Sequence, residues 1–229
     1  VKVVFCTPTY TRPHPAYVKA LEESIPALDA AGIEHQVVFE VGCPYISAAR
    51  ATLTRKALDA GADVVVYIDH DVSWRPQDIV KLIQTDGDVV SGTYRFKKDE
   101  EDYMGALFTD AAGYPQLRSS DGAMRAHCIP AGFLKITRDG IRRFMRAYPK
   151  LLYGHPDCYT VDLFNHGAHE GVWYGEDYAF SRNWLALGGD IWLVPDLQLD
   201  HHSADQVYPG NFHIYMRKQP GGDLCPSST

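Results

Sequence analysis

The stretch VVVYIDHDVSW, Val64 to Trp74, decides how this chain is read. Five apolar residues in a row, rich in β-branched side chains, describe a strand buried on both faces, as in a parallel sheet. The strand runs into two carboxylates one residue apart, Asp69 and Asp71, with His70 between them. In open α/β sheets the carboxyl ends of the strands form the edge where ligands bind. Two acidic groups so close repel each other unless a cation lies beside them. Carboxylate oxygens select hard divalent ions, so Mn²⁺ or Mg²⁺ is the expected guest, and it would in turn hold a phosphate. The competing reading is an acidic turn in which Asp71 caps the next helix.

The segments around this strand alternate in type. Strands are expected at Val1–Thr7, Glu34–Val41, Asp63–Ile68 and Asp88–Gly92, with helices at Tyr17–Ala31, Tyr45–Ala60 and Pro76–Gln84 between them. Gly32 and Gly61 close the first two helices, and prolines open the first and third. Such alternation predicts βαβ units, a mostly parallel sheet and right-handed crossovers. After Gly92 the pattern breaks into short strands at Tyr94–Phe96, Met104–Phe108, Gln116–Leu117, Met124–Ile129 and Gly132–Thr137. A basic amphipathic helix follows at Arg138–Tyr148, then an irregular stretch rich in Gly, His and aromatics at Leu151–Gly171. Next come a helix at Glu176–Leu187 and strands at Ile191–Pro195 and Gln198–Asp200. One domain over residues 1–212 is expected, with a nucleotide-binding half (1–92) and an acceptor half (93–212). A tail over 213–229 completes the division, its last residues, PGGDLCPSST, reading as mobile.

Composition narrows the classes. The chain has 229 residues, 45% hydrophobic and 22% charged, ordinary values for a globular protein. A formal net charge of −7 argues against nucleic acid as a partner. No apolar run is long enough to cross a membrane. No signal peptide is read, because the first residues, VKVVFC, already form a strand; the missing initiator Met allows for trimming or a longer parent. The five cysteines are odd in number, widely spaced and without a CxxC pair, which points to free thiols, with Cys6 buried, and to a reducing, cytoplasmic setting. HGAHE, His166 to Glu170, has half the look of a metal site, but at short spacing in a loop.

Other residues join the two carboxylates at the same edge. The first strand ends in TPTY, so Thr7, Pro8, Thr9 and Tyr10 are candidates to line a nucleotide pocket, Tyr10 by stacking on a base. Arg50, on the second helix, is placed to neutralise phosphate, or else to form a salt bridge with the DHD cluster. WYGEDYAF, Trp173 to Phe180, puts Glu176 and Asp177 at a helix start, where the dipole favours acids and where one of them could serve as a general base. A late strand ends at His201 and His202, an imidazole source for a metal such as Mn²⁺.

This order, a strand-end DxD, then GED opening a helix, then a strand-end His, resembles that of the GT-A glycosyltransferases, in particular small metal-dependent enzymes of bacteria, phages and large viruses. The resemblance spans about Val1 to Phe212. It implies an α/β fold with a Rossmann-like, mostly parallel central sheet, helices on both faces and a smaller mixed sheet in the second half. It implies transfer of a sugar, by default from a UDP-linked hexose, to a hydroxyl of a glycan, lipid-linked or protein acceptor. Asp69 and His70 would then lie at the donor nucleotide, Asp71 and His201 on the metal, and Asp177 would be the base of an inverting reaction, with Glu176 orienting it. Thr7, Pro8, Thr9, Tyr10 and Arg50 would match nucleotide-contacting positions. IPAGF, Ile129 to Phe133, would lie under the donor sugar with Ala131 and Gly132, and SGTYRF, Ser91 to Phe96, would be an acceptor-side loop. The family often has a His, an apolar residue and a Gly where this chain has HHS, so His201 is preferred over His202 only by position. Two other readings compete. DHDVS loosely fits the motif of haloacid-dehalogenase-type phosphatases, with Asp69 as nucleophile and Asp71 as acid/base, although there the motif usually lies on the first strand. A non-catalytic carbohydrate-binding module of the same fold is the other.

Overall fold

The computed structural model of the chain describes residues 1–219, apart from the side chain of Cys158. The expected mobile stretch Pro220–Thr229 lies outside the described residues. The first half is built as its pattern predicts: β1 (Lys2–Thr9), α1 (Pro15–Ala30), β2 (Glu34–Val41), α2 (Ile46–Asp59), β3 (Val64–Ile68), the two-residue β4 (Val72–Ser73), α3 (Pro76–Gln84) and β5 (Val89–Ser91). Local chemistry sets these limits. His14 caps α1, its Nδ1 accepting from the Ala16 amide at 3.1 Å, and Pro15 fits the first turn, where no amide donor is needed. Gly32 ends that helix in the left-handed conformation, φ +65°.

The second half contributes β6 (Ala106–Leu107), β7 (Met124–Cys128), β8 (Phe133–Thr137), α4 (Arg138–Ala147), β9 (Leu152–His155), β10 (Cys158–Val161), β11 (Gly167–His169), β12 (Val172–Tyr174), α5 (Glu176–Ala186), β13 (Trp192–Leu193), β14 (Asp200–His202), β15 (Val207–Tyr208) and α6 (Phe212–Lys218). The main sheet has eight strands in the order β2-β1-β3-β8-β5-β13-β7-β6. β8 and β7 run against the others, and β8 is inserted between β3 and β5, with Ile68 opposite Phe133 and Ser91 opposite Leu134. A smaller sheet, β15-β14-β4, folds the end of the chain back over the carboxyl edge of β3. This is the expected α/β class: a mostly parallel central sheet, helices on both faces and a smaller second sheet.

Strand alternation assigns side chains to two cores, one on each face. Val4, Cys6, Val65, Tyr67, Leu134 and Ile136 pack with Phe144 of α4 and Trp184 of α5 on one side. Val3, Phe5, Val64, Val66, Ile68 and Phe133 pack with Tyr17 of α1 and Ile79 of α3 on the other.

Several expectations for the second half need correction. Leu151–Gly171 is not irregular: it holds the β9–β10 hairpin and most of the β11–β12 hairpin. β9 and β11 are largely exposed, so they lack the apolar alternation that marks a strand. The strand expected at Gln198–Asp200 lies at Asp200–His202, where β4 supplies its partner. Tyr94–Phe96 and Gln116–Leu117 are not strands and take part only in the single bridges Arg95–Tyr103 and Leu117–Met124. Residues 213–218, expected in the tail, are helical, and α6 docks through Phe212 and Tyr215 against Tyr103. In the basic helix α4, Arg138 binds the Gly61 and Ala62 carbonyls, and Arg143 lies over Trp184 and donates to the Leu187 carbonyl at 2.9 Å. Two of its cations are therefore internal ties.

Phe144 is fully buried between Tyr148 and Phe180. Phe144→Ala is expected to lower the unfolding free energy by about 3–5 kcal/mol, read from denaturant unfolding; a loss under about 1 kcal/mol would refute this packing.

Candidate active site at the carboxyl edge

Where β3 stops, the Asp69 amide donates to the Gly132 carbonyl at 3.0 Å, and the Val72 amide donates to the Asp69 carbonyl at 3.1 Å, which turns the chain sharply. The Asp69 side chain points into the protein. Its Oδ1 accepts from Arg50 Nη2 at 2.7 Å and its Oδ2 from the Tyr94 hydroxyl at 3.1 Å. Arg50 Nη1 donates to Glu176 Oε1 at 2.6 Å, and the guanidinium lies 5.3 Å from the centre of the Phe164 ring. Of the two readings weighed for Arg50, the geometry is that of the salt bridge: a buried cation between two carboxylates. Burial alone would lower the pKa of Arg50, but Asp69 and Glu176 outweigh it and keep the guanidinium charged. Burial, then the Asp69 charge, push the Tyr94 phenol well above its ordinary value, so it remains a donor. Gly132 makes room for this cluster: a Cβ there would lie 2.1 Å from the Tyr94 hydroxyl and 2.3 Å from Asp69 Oδ2. Ala131, beside it, is buried.

Asp71 faces a different group. The His202 amide donates to the Asp71 carbonyl at 2.8 Å, which fixes β14 beside the turn. Successive strand residues point to opposite faces, and this separates the two histidines. His201 Nε2 lies 3.7 Å from Asp71 Oδ1. His202 faces away, with Nε2 2.8 Å from Ser73 Oγ and its ring stacked on His14 at 4.6 Å. His201 Nδ1–H donates to the Arg95 carbonyl at 2.8 Å. Its Nε2 therefore presents a proton to Asp71 when the ring is charged and a lone pair when it is neutral. Lys97 Nζ binds Asp71 Oδ2. Burial pushes the Asp71 carboxyl up, but His201 and Lys97 outweigh it and hold the group well below the usual carboxylate range. His70 between the two acids is half-buried; its carbonyl accepts from the His14 amide at 2.8 Å.

Glu176 and Asp177 open α5 after Gly175. Asp177 Oδ1 accepts from the Tyr178 amide at 2.8 Å. Burial first, then the neighbouring Glu176 charge, push the Asp177 carboxyl up to about 6, against the opposing pull of Arg50. Next to it, between β7 and α5, a cavity of about 570 Å³ is lined by Cys128, Tyr174, Tyr178 and Arg182, among others.

The first-strand residues divide differently from expectation. β1 runs through Thr9, two residues further than expected, so Thr7 and Pro8 are buried in the sheet. The Thr7 hydroxyl is bonded to Tyr17 at 2.6 Å. Neither Thr7 nor Pro8 offers a surface to a nucleotide. Thr9 Oγ1 is buried without a hydrogen-bond partner among the described residues, and Tyr10 is the first exposed side chain, at 68%. HGAHE lies on the β11–β12 hairpin, and its nearest pairing is His169 with Glu170 at 3.9 Å. Among the described residues no three His, Cys, Asp or Glu side chains form a ready metal cage. Tyr94 and Lys97 carry no sequence expectation as ligands of the two aspartates. The only trace is the basic run YRFKK after the fifth strand, which reads equally well as a solvated loop.

No family model matches the chain, and no curated protein matches it. Among solved structures it is similar to A197 from STIV, at 14% identity and a TM-score of 0.52 over 92% of this chain and 95% of that one. At that identity the likeness shows the fold alone. Glycosyltransferases are also among its structural neighbours. A mutant of Drosophila β1,4-galactosyltransferase 7, in complex with manganese, UDP-Gal and xylobiose, aligns at 12% identity and a TM-score of 0.47 over 100% of this chain and 82% of that one. S. aureus TarS in complex with UDP-GlcNAc aligns at 11% identity and a TM-score of 0.43 over 95% of this chain and 65% of that one.

Removing Arg50 leaves two carboxylates facing each other without a counter-charge. Arg50→Ala is expected to cost about 3 kcal/mol of stability, and Arg50→Lys to recover part of it because one ammonium cannot fork to both partners. Paired denaturation curves measure this, and equal stability of Arg50→Ala and the parent would discard the clamp.

Proposed function

We propose that this chain is a metal-dependent glycosyltransferase that moves a sugar, a hexose linked to UDP, from its nucleoside diphosphate to an acceptor hydroxyl on a glycan, a lipid-linked sugar or a protein, with inversion. The observation that carries this reading is the convergence at one sheet edge of Asp71, an inward-facing His201 and a carboxyl, Asp177, raised to about 6. Ligand-free strand ends have no need of such an arrangement, whereas transfer from a diphosphate leaving group needs a cation site and a base side by side.

The residues suit a divalent ion that takes only part of its shell from protein. Asp71 offers carboxylate oxygen, and His201, its Nδ1–H held by the Arg95 carbonyl, offers Nε2. An imidazole and carboxylate pair of this kind fits Mn²⁺, with the remaining positions left to donor phosphates and water. When bound, the ion supplies positive charge to the departing diphosphate. Asp177 accepts the proton of the acceptor hydroxyl, whose oxygen attacks the anomeric carbon as the bond to phosphate breaks. Glu176, held by Arg50, keeps a negative charge beside Asp177 and so raises its basicity. The Tyr174 and Tyr178 cavity beside the base is the acceptor's approach, and Tyr10, exposed past the end of β1, is available to stack on the donor base. Asp69 has both carboxylate oxygens engaged, which disfavours its use as an attacking nucleophile and with it the phosphatase reading.

A thermal-shift panel of UDP, GDP, CMP and dTDP and their sugars, with and without Mn²⁺, tests the donor. A ligand that binds the native state raises its melting temperature with occupancy. A shift from UDP or its sugar that needs Mn²⁺ and is lost in Asp71→Ala is the expected result; no shift from any nucleotide would overturn the reading.

Transfer rate should rise with pH through about 6 and level off above it, because the base works only when unprotonated. Asp177→Asn should retain donor binding and lose roughly 10²–10⁴-fold in rate. Near-normal transfer by this variant would remove Asp177 as the base.

A further inference from the structure

The loop after β5 touches both aspartates and the histidine at once. The Tyr94 hydroxyl binds Asp69 at 3.1 Å, the Arg95 carbonyl receives His201 Nδ1–H at 2.8 Å, and Lys97 Nζ binds Asp71. The other cations of the run YRFKK bind carbonyls and a carboxylate of the loop itself, Arg95 also lying 6.0 Å from the centre of the Tyr208 ring. Arg95 donates to the carbonyls of Lys98 and Asp99, and Lys98 pairs with Asp102 at 2.7 Å. Lys97 instead reaches out of the loop to the second acid of the DHD motif. The backbone that carries it is braced by the Phe96 amide on the Asp102 carbonyl and the Met104 amide on the Tyr94 carbonyl, so its position is built rather than incidental.

We propose that Lys97 is an internal counter-ion for Asp71, which a divalent cation must displace, and that the displaced ammonium then pairs with the diphosphate of the donor. The proposal rests on the metal-dependent reading given above. Its chemistry follows from what an ammonium can and cannot do. It carries a single charge and binds Asp71 Oδ2 through an N–H; it can at most donate a hydrogen bond to His201 Nε2 and cannot hold the imidazole and the carboxylate together as ligands of one centre. A divalent ion can take both groups, and a diphosphate arriving with it offers Lys97 anionic oxygens in exchange for the carboxylate it gives up. Lys97 thus opposes binding of the ion alone and favours binding of the ion together with its donor. The side chain is one-third exposed, so it can leave Asp71 without unpacking a core.

Mn²⁺ titrations of the full chain, by calorimetry or water-proton relaxation, with and without UDP, test this in the parent, Lys97→Gln and Lys97→Arg. Without UDP, Lys97→Gln should bind Mn²⁺ about tenfold more tightly than the parent, the loss of one charge-assisted hydrogen bond as competitor. Lys97→Arg should stay close to the parent. Adding UDP should strengthen Mn²⁺ binding less in Lys97→Gln than in the parent. Equal Mn²⁺ affinity of Lys97→Gln and the parent, both binding, would overturn the counter-ion while leaving the metal site standing. Absence of Mn²⁺ binding in all three proteins, with UDP present, would overturn the metal reading and the counter-ion with it.

Discussion

A single buried guanidinium organises this molecule. Arg50 sits on α2, which packs against the first strand, and its two terminal nitrogens hold Asp69 at the end of β3 and Glu176 at the start of α5. Those carboxylates come from opposite halves of the chain. Burying a cation here is tolerable only because both charges answer it and Phe164 closes one face of the plane. The consequences spread outward. With Oδ1 taken by Arg50, Asp69 turns Oδ2 to Tyr94, and that arrangement fills the space where any residue larger than glycine at 132 would place a Cβ. With Glu176 fixed, the next residue, Asp177, is held in a half-buried, negatively biased position. The cation thus also acts on a group it does not touch, drawing the Asp177 carboxyl down against the burial and the Glu176 charge that raise it.

The legible part of the sequence was the part in which burial speaks through periodicity. Val64–Ile68 is apolar at every position and is buried at every position, and the helices flanked by Pro and Gly begin and end within a residue or two of their punctuation. The orientation of Phe133–Thr137 was not legible, because an interior strand has the same composition whichever way it runs. Lys135 even places a cation in that strand, where it binds the carbonyls of Ile83 and Thr85 at the end of α3.

At the site, residue types were read more surely than directions. Thr7 carries a hydroxyl at a strand's functional end, yet Tyr17, ten residues on, takes that hydroxyl into the core. For Arg50 the sequence allowed either phosphate or carboxylate as partner; in the fold Asp69 of the DHD run and Glu176 from the far half of the chain both bind it. His201 and His202 are alike in sequence, and the pleat separates them: one faces Asp71, the other His14 and Ser73. Lys97 was invisible because nothing local distinguishes it from Lys98, which stays within its own loop.

The inserted antiparallel strand has a kinetic consequence. β3 and β5 are sheet neighbours only through β8, and β5 then pairs with β13, so the middle of the sheet is assembled from pieces made early, midway and late in synthesis. Until Phe133–Thr137 emerges, the nascent β2-β1-β3 ribbon exposes the free edge of β3, its most apolar strand, to any other extended chain nearby. Pairings this distant in sequence close slowly and leave such an edge open for longer. The geometry that delivers Gly132 to Asp69 therefore makes a ribosome-bound or truncated N-terminal half the form of this protein most prone to self-association.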